Sequence, residues 1–312
     1  MEMIVETTTT AAALSGTVDG SLCERFIDYL DVSKKTVETY KRALRQFIKY
    51  LKEEGIARPT RADILSYRQQ LMDCTSAATV TSYMTVVRLF FRWTAQEGLY
   101  PNIADHVKGA KIGREHKKDC LTATQTGQIL QNLKHDTPQE RRDYALFLLM
   151  VGCGLRDIEI HRANIEDLRT LGDHTVLYLQ GKGRDDRTEY VKIEPIVEAA
   201  IRESLKDRKA AAGADPLFAS LSNNSKGQRM STRSISGTIK QILISAGYNS
   251  DRLTAHSLRH TAVTISLLKG VKIEEVQQFA RHRNIATTQI YAHHLERVNN
   301  KCESTIASAI FQ

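Results

Sequence analysis

His256-Ser257-Leu258-Arg259-His260 is the stretch from which the chain is read outward, because it opens a helical pattern over residues 256–269 with two imidazoles and a guanidinium in its first turns. Residues three and four apart share a helix face, so His256, Arg259 and His260 stand close together. Downstream, helical periodicity recurs over 272–280 and 286–309, and these segments bracket His282 and carry Tyr291. Upstream it recurs over 195–210 and 231–246. Before those come two β-rich runs, Thr175–Gln180 and Thr188–Ile193, joined by Gly181-Lys182-Gly183-Arg184-Asp185-Asp186-Arg187, which predicts a hairpin with a charged tip. Thr137 and Pro138 supply an N-cap and first-turn residue for a helix running through Tyr144 to Val151, with Gly152 as its stop. The expectation is a domain over 121–296 that is mainly α with a small β-sheet, then a C-terminal tail over 297–312.

The amino-terminal part has a different pattern. Residues 1–20, with Thr7–Thr10 and Ala11–Ala13, show neither helical nor alternating periodicity and are expected to be a flexible tail. From Ser21 onward apolar residues become periodic. Ser33 caps a helix carrying Val37, Tyr40, Leu44, Phe47, Ile48 and Leu51, closed by Gly55. Thr60 and Asp63 form a capping box before Ile64, Leu65, Leu71 and Met72. Val80, Tyr83, Val86, Val87, Phe90, Phe91 and Thr94 trace a further amphipathic helix that ends near Gly98 and Pro101. Residues 21–105 therefore read as a small all-helical domain. The stretch 106–120 holds Lys108, Lys111, Arg114, Lys117 and Lys118 against Glu115 and Asp119, with Gly109 and Gly113 loosening the backbone. It reads as a basic interdomain linker, either a solvated connector or a strap along phosphates. No internal repeat is apparent.

Composition narrows the function classes. The 312 residues, 41% hydrophobic and 26% charged, suffice for two folded domains and exclude wholesale disorder. The unbroken apolar run Ala145–Val151 is far short of the roughly 20 residues a spanning helix needs, so no membrane partner is expected. The first twenty residues contain Glu2, Glu6 and Asp19 but no Lys or Arg, unlike a secretory signal, and a cytoplasmic location is expected. Five cysteines with no Cys-x-x-Cys pair support neither a disulfide framework nor a cysteine zinc site. A net charge of +8, from 44 Lys and Arg against 36 Asp and Glu, favours an acidic partner.

Several catalytic motifs fail. Gly152-Cys153-Gly154 begins like a dinucleotide loop, but Asp157 stands where the third glycine belongs and a helix precedes it. A phosphate-binding G-x-x-x-x-G-K loop and a G-x-S-x-G elbow are both missing, so neither ATP use nor serine hydrolysis gains support. His256 and His260 have a zinc-compatible spacing, but Ser257 occupies the position of a metalloprotease glutamate.

What remains is an ordered set: Arg156, Lys182, His256, Arg259, His282 and Tyr291, with Tyr291 nine positions after His282. It is carried by Gly154-Leu155-Arg156-Asp157-Ile158-Glu159-Ile160, Gly181-Lys182-Gly183, His256-Ser257-Leu258-Arg259-His260 and Thr287-Thr288-Gln289-Ile290-Tyr291-Ala292-His293. These segments resemble the tyrosine recombinase and integrase family, and the layout of residues 21–296 resembles its simpler Xer-like members. The resemblance implies a helical, SAM-like core-binding domain that contacts DNA, a basic linker and a catalytic domain of the DNA breaking-rejoining fold. One departure is Arg281, where the family usually has Gly immediately before the histidine.

The resemblance implies that Tyr291 attacks a DNA phosphodiester, leaving a covalent 3′-phosphotyrosine and a free 5′ hydroxyl. The reverse attack reseals the strand, so neither ATP nor a metal cofactor is expected. Arg156 and Arg259 offer permanently charged forks to the developing phosphate charge. Lys182 on the hairpin tip is the general acid for the leaving alkoxide, with Arg184 or Arg187 as the alternative cation. Tyrosine ionises near pH 10, so its proton needs a partner, for which His256 is chosen. His282 donates a hydrogen bond to the phosphate, as the resemblance implies. Glu159 buttresses the site, His260 and His293 make structural hydrogen bonds, and His294 is a surface residue.

The partners implied are double-stranded DNA at specific recombination sites, three further copies in a tetramer spanning two sites, and an accessory or directionality protein, with the enzyme on the nucleoid. Integration and excision of a mobile element is the expected role, with Xer-like resolution of chromosome or plasmid multimers as the alternative. Outside that class stand a non-catalytic DNA-binding protein, which would need no nucleophile, and a relaxing topoisomerase. Ile306, Ala307, Ala309, Ile310 and Phe311 form a small apolar patch in the tail that either docks on a neighbouring protomer or packs on its own domain.

Overall fold

The computed structural model describes residues 16–111, 119–180, 186–208, 212–298 and 302–311, with the backbone alone at 293–298. The chain divides into two compact units, Met1–Arg114 and Glu115–Gln312.

Among its described residues the first unit packs four helices, α1 (Gly20–Tyr29), α2 (Lys34–Glu53), α3 (Arg61–Cys74) and α4 (Ala77–Gln96). Their ends follow local chemistry: the Ser33 side chain accepts from the Thr36 N–H at the start of α2, and Thr60 with Asp63 closes a capping box on α3. The inward faces meet in an aromatic-rich core of Phe26, Phe47, Tyr67, Phe90, Phe91 and Trp93. Phe26 and Phe90 pack edge to face, with centroids 5.6 Å apart.

Both flanks are more ordered than expected. Val18 is buried and its N–H reaches the Ala57 carbonyl at 3.1 Å, while Asp19 caps α1 through the Leu22 N–H. The end of the expected tail thus belongs to the helical unit. Residues 106–111, expected to be loose linker, lie against α3 and α4. Val107 is buried, Arg88 donates to its carbonyl at 3.0 Å, and Thr81 donates to that of Ala110 at 3.0 Å. Gly109 does not loosen this strand of chain; a Cβ there would stand 2.9 Å from the Thr81 hydroxyl, so glycine permits the close approach. Residues 112–118 lie outside the described residues.

The second unit contains α5 (Ala123–Asn132), α6 (Pro138–Cys153), α7 (Asp157–Arg162), a 3-10 turn at Ile165–Asp167, strands β1 (Leu168–Leu171), β2 (His174–Leu179) and β3 (Glu189–Ile193), and then α8 (Pro195–Lys206), α9 (Thr232–Ser245), α10 (Ala255–Leu268), α11 (Ile273–Ala280), α12 (Ala286–Val298) and α13 (Cys302–Ile310). The sheet is an antiparallel meander, β1-β2-β3, in which Leu177 pairs with Leu168 on one side and Val191 on the other. Its buried residues Leu177, Leu179, Val191 and Ile193 join residues of α6, α8 and α10 in the main core. α6 begins as expected at Thr137 and Pro138 but passes through Gly152 and stops at Gly154, whose φ of 57° is left-handed. The expected helix over 286–309 is α12 and α13, and no residue of α13 is buried. Among the described residues, no helix is long and apolar enough to cross a membrane.

Candidate active site

The α6–α7 turn, α10, the α11–α12 corner and α12 each bring one reactive group to the same place. Gly154 makes the first of these possible, since its left-handed turn ends α6 and a Cβ would stand 2.9 Å from the Phe279 ring. Two residues later Arg156 occupies the N-cap of α7. Its guanidinium donates to Glu159 Oε1 at 2.7 Å and its backbone N–H donates to Oε2 at 2.8 Å. Glu159, 1% exposed, is the buttress that its spacing suggested.

Arg259, on α10, is 2% exposed and donates to the carbonyls of Gly154, at 2.6 Å, and of Ala280. Burial, together with the neighbouring charges of Arg156 and Arg281, pulls its guanidinium down to about 9, so it remains charged at neutral pH. The carbonyls fix the direction of the fork, which a long flexible side chain would otherwise lack.

His282 follows α11, with Nδ1 2.9 Å from the Thr288 hydroxyl and its ring stacked toward Tyr291 at 6.4 Å between centroids. Half-burial and the charges of Arg259, Arg156, Arg281 and His256 drive its pKa down to about 4. A neutral imidazole at pH 7 is thereby set up as a hydrogen-bond donor rather than an acid.

Tyr291 projects from α12 into a small satellite core of Val263, Val276 and Ala280 and is 7% exposed. Burial raises its phenol to about 12, against the opposing pull of Arg259. Its hydroxyl is hydrogen-bonded to Nδ1 of His260. The neighbour found at the expected nucleophile is therefore His260, for which the sequence suggested only a structural hydrogen bond. His256 is exposed one turn away, its ring edge-on to that of His260 at 4.5 Å.

The sequence also did not anticipate the part played by Arg281, whose guanidinium lies against Glu159 at 2.9 Å. The signal was the residue's own identity, a large cation at a position of glycine. Lys182 and Arg184 lie outside the described residues. Arg187 is committed elsewhere, its Nη1 donating to both oxygens of buried Asp167 at 2.6 and 2.7 Å. The side chains of His293 and His294 also lie outside the described residues. Among the described residues no group of three His, Cys, Asp or Glu side chains converges to hold a metal ion.

Two arginines, a buried tyrosine and two histidines thus stand together on a helical scaffold. A model of the phage integrase family matches residues 119–297, and one of the phage integrase N-terminal SAM-like domain matches residues 23–98. The chain belongs to the phage integrase family. It is a tyrosine recombinase, 28% identical over 283 residues to tyrosine recombinase XerC of Thermodesulfovibrio yellowstonii, covering 86% of this chain and 90% of that one. It is also 28% identical over 275 residues to tyrosine recombinase XerD of Corynebacterium glutamicum, covering 84% and 88%. Among solved structures, the recombinase resembles a XerH site-specific recombinase bound to a palindromic difH substrate in a post-cleavage complex, with a TM-score of 0.71 at 18% identity over 89% of this chain and 83% of that one. At that identity the likeness is one of fold.

Proposed function

We propose that the protein cuts and rejoins double-stranded DNA at specific sites, with Tyr291 as the nucleophile that forms a covalent 3′-phosphotyrosine. The observation that carries the reading is the clustering of Tyr291, Arg259, Arg156 and His282 from four segments of the second unit: the His282 ring stacks toward Tyr291, and the charges of Arg259 and Arg156 both bear on His282. The Tyr291 oxygen attacks phosphorus, the bond to the 5′ oxygen breaks, and that oxygen takes a proton from Lys182. Arg156 and Arg259 neutralise the charge gathering on the non-bridging oxygens, and His282 donates to one of them. His260 accepts the phenol proton, with His256 one ring further out as the relay to solvent. These side chains account for nucleophile, acid, base and charge stabilisation, so the reaction proceeds without metal or ATP.

The working unit is a tetramer on two DNA sites, located with the DNA in the cytoplasm and assisted by an accessory or directionality protein. Phosphate contacts supply most of the affinity, which falls steeply with salt. Exposed Ile306, Ile310 and Phe311 on and after α13 dock on a neighbouring protomer. The biological role is integration and excision of a mobile element, supported by the departure at Arg281 and by the tail. A second reading, Xer-like multimer resolution, is favoured by relatives named XerC and XerD that match along most of their length.

The test is to digest the trapped protein–DNA adduct and map it by mass spectrometry, with the DNA ends labelled separately. A nucleotide on Tyr291 joined through a 3′ phosphate, with a free 5′ hydroxyl left behind, is the expected product. Attachment to another residue or through a 5′ phosphate contradicts the proposal.

A further inference from the structure

We propose that Arg281 is a positioning residue of this site: a third guanidinium that sets the directions of Arg156 and Arg259 from behind. Its side chain is 6% exposed, so almost none of its surface is open to a phosphate. Its contacts run inward instead. It donates to Glu159 Oε2 at 2.9 Å, to the Gly154 carbonyl at 3.2 Å and to the Phe279 carbonyl at 2.7 Å.

Two of those acceptors are shared with the arginines assigned to the phosphate. Glu159 also holds Arg156, at 2.7 Å, and the Gly154 carbonyl also holds Arg259, at 2.6 Å. The backbone completes the ties, because Arg156 donates to the Arg281 carbonyl at 3.3 Å and Arg259 donates to the carbonyl of Ala280 just before it. One residue thus touches the supports of both forks, and the next residue in the chain is His282.

The conformation argues that the side chain is used. Arg281 sits at φ 52° and ψ 46°, a left-handed position where glycine is unstrained and a Cβ is not. A turn alone would be better served by glycine. The guanidinium has an electrostatic task as well. Burial would push the Glu159 carboxyl up, but Arg281, the Arg156 N–H and the Arg156 guanidinium outweigh that and hold it below its usual value. A buried carboxylate facing Arg156 alone would draw that guanidinium onto itself and offset its charge. Sharing the carboxylate between two guanidiniums leaves net positive charge for a phosphate.

This inference rests on Tyr291 as nucleophile, which wild type and Tyr291→Phe test in the same assay. The experiment compares Arg281→Gly, Arg281→Asn and Arg281→Lys with wild type, using a nicked duplex that wild type captures from a random pool. Single-turnover adduct formation, DNA affinity and melting temperature are measured for each full-length protein. Glycine and asparagine suit the left-handed turn and lack the cation. Both are expected to lower the cleavage rate about tenfold or more, with affinity within about threefold of wild type and only a modest fall in melting temperature, because Glu159 keeps Arg156 as its partner and the left-handed strain is relieved. Lysine, which keeps the charge beside Glu159 but not the fork, should recover part of the rate. Wild-type cleavage by Arg281→Gly or Arg281→Asn would overturn the proposal. So would a loss of rate that tracks a falling melting temperature in both variants and is not relieved by lysine. Failure of wild type itself to form an adduct would instead contradict the proposed function.

Discussion

The hydroxyl of Tyr291 is hydrogen-bonded to Nδ1 of His260, a residue that adjoins Arg259 on α10. Burial raises the phenol to about 12, so at neutral pH the free-energy cost of forming phenolate is large without a proton acceptor at that hydroxyl. His260→Ala is expected to slow single-turnover cleavage about tenfold or more. Its rate should also rise more steeply with pH than that of wild type, because the fraction of phenolate then limits attack. A variant with wild-type rate and pH profile would remove His260 from the proton path.

Glu159 sets a second expectation. Its buried carboxylate faces Arg156 and Arg281, and removing one member of such a group leaves buried charge uncompensated. Glu159→Ala should therefore destabilise the protein by about 3–5 kcal/mol, measured by denaturant unfolding of the full-length chain. Glu159→Gln, which keeps hydrogen-bonding atoms, should cost less. A loss below about 1 kcal/mol for alanine would show that the network contributes little.

The depressed pKa of His282 predicts an acid-side effect on stability. An unfolded histidine takes up a proton near pH 6.5, whereas the folded one resists until about pH 4. Between those values the unfolded state binds more protons, so stability falls as pH drops from 6.5 toward 4. Thermal unfolding of His282→Gln should show a shallower fall across that window than wild type. Identical slopes would mean that His282 titrates normally.

The tail supplies a fourth. No residue of α13 is buried, and Ile306, Ile310 and Phe311 are 57%, 65% and 83% exposed. Deleting residues 303–312 is expected to spare DNA binding and impair cleavage in the assembled complex. Full recombination by the truncated protein would show that the apolar patch serves another purpose.

What could be read in advance was what the chain encodes locally. Ser33, the Thr60–Asp63 pair and Thr137–Pro138 announced three helix starts, because a cap depends on residues at most three apart. The same chemistry begins α5 at Thr122 and Gln125 and caps α1 at Asp19, inside the expected tail, where no periodic pattern points to it. β1 escaped for another reason: Arg169, Thr170 and Leu171 are all exposed, so the strand leaves no alternation. The order of Arg156, Arg259, His282 and Tyr291 was legible from motif spacing. Their supports were not. That His260 meets Tyr291 depends on how α12 crosses α10, and the pairing of Arg281 with Glu159 joins residues 122 positions apart.

The measurement that bears most directly on the account is covalent trapping on a pool of nicked duplexes in EDTA, with wild type and Tyr291→Phe side by side and the retained DNA sequenced after SDS. An adduct is expected with wild type, none with Tyr291→Phe despite retained binding, and one recurrent DNA site among the captured molecules. Adduct formation by both proteins, or by neither while both bind that DNA, would contradict the account.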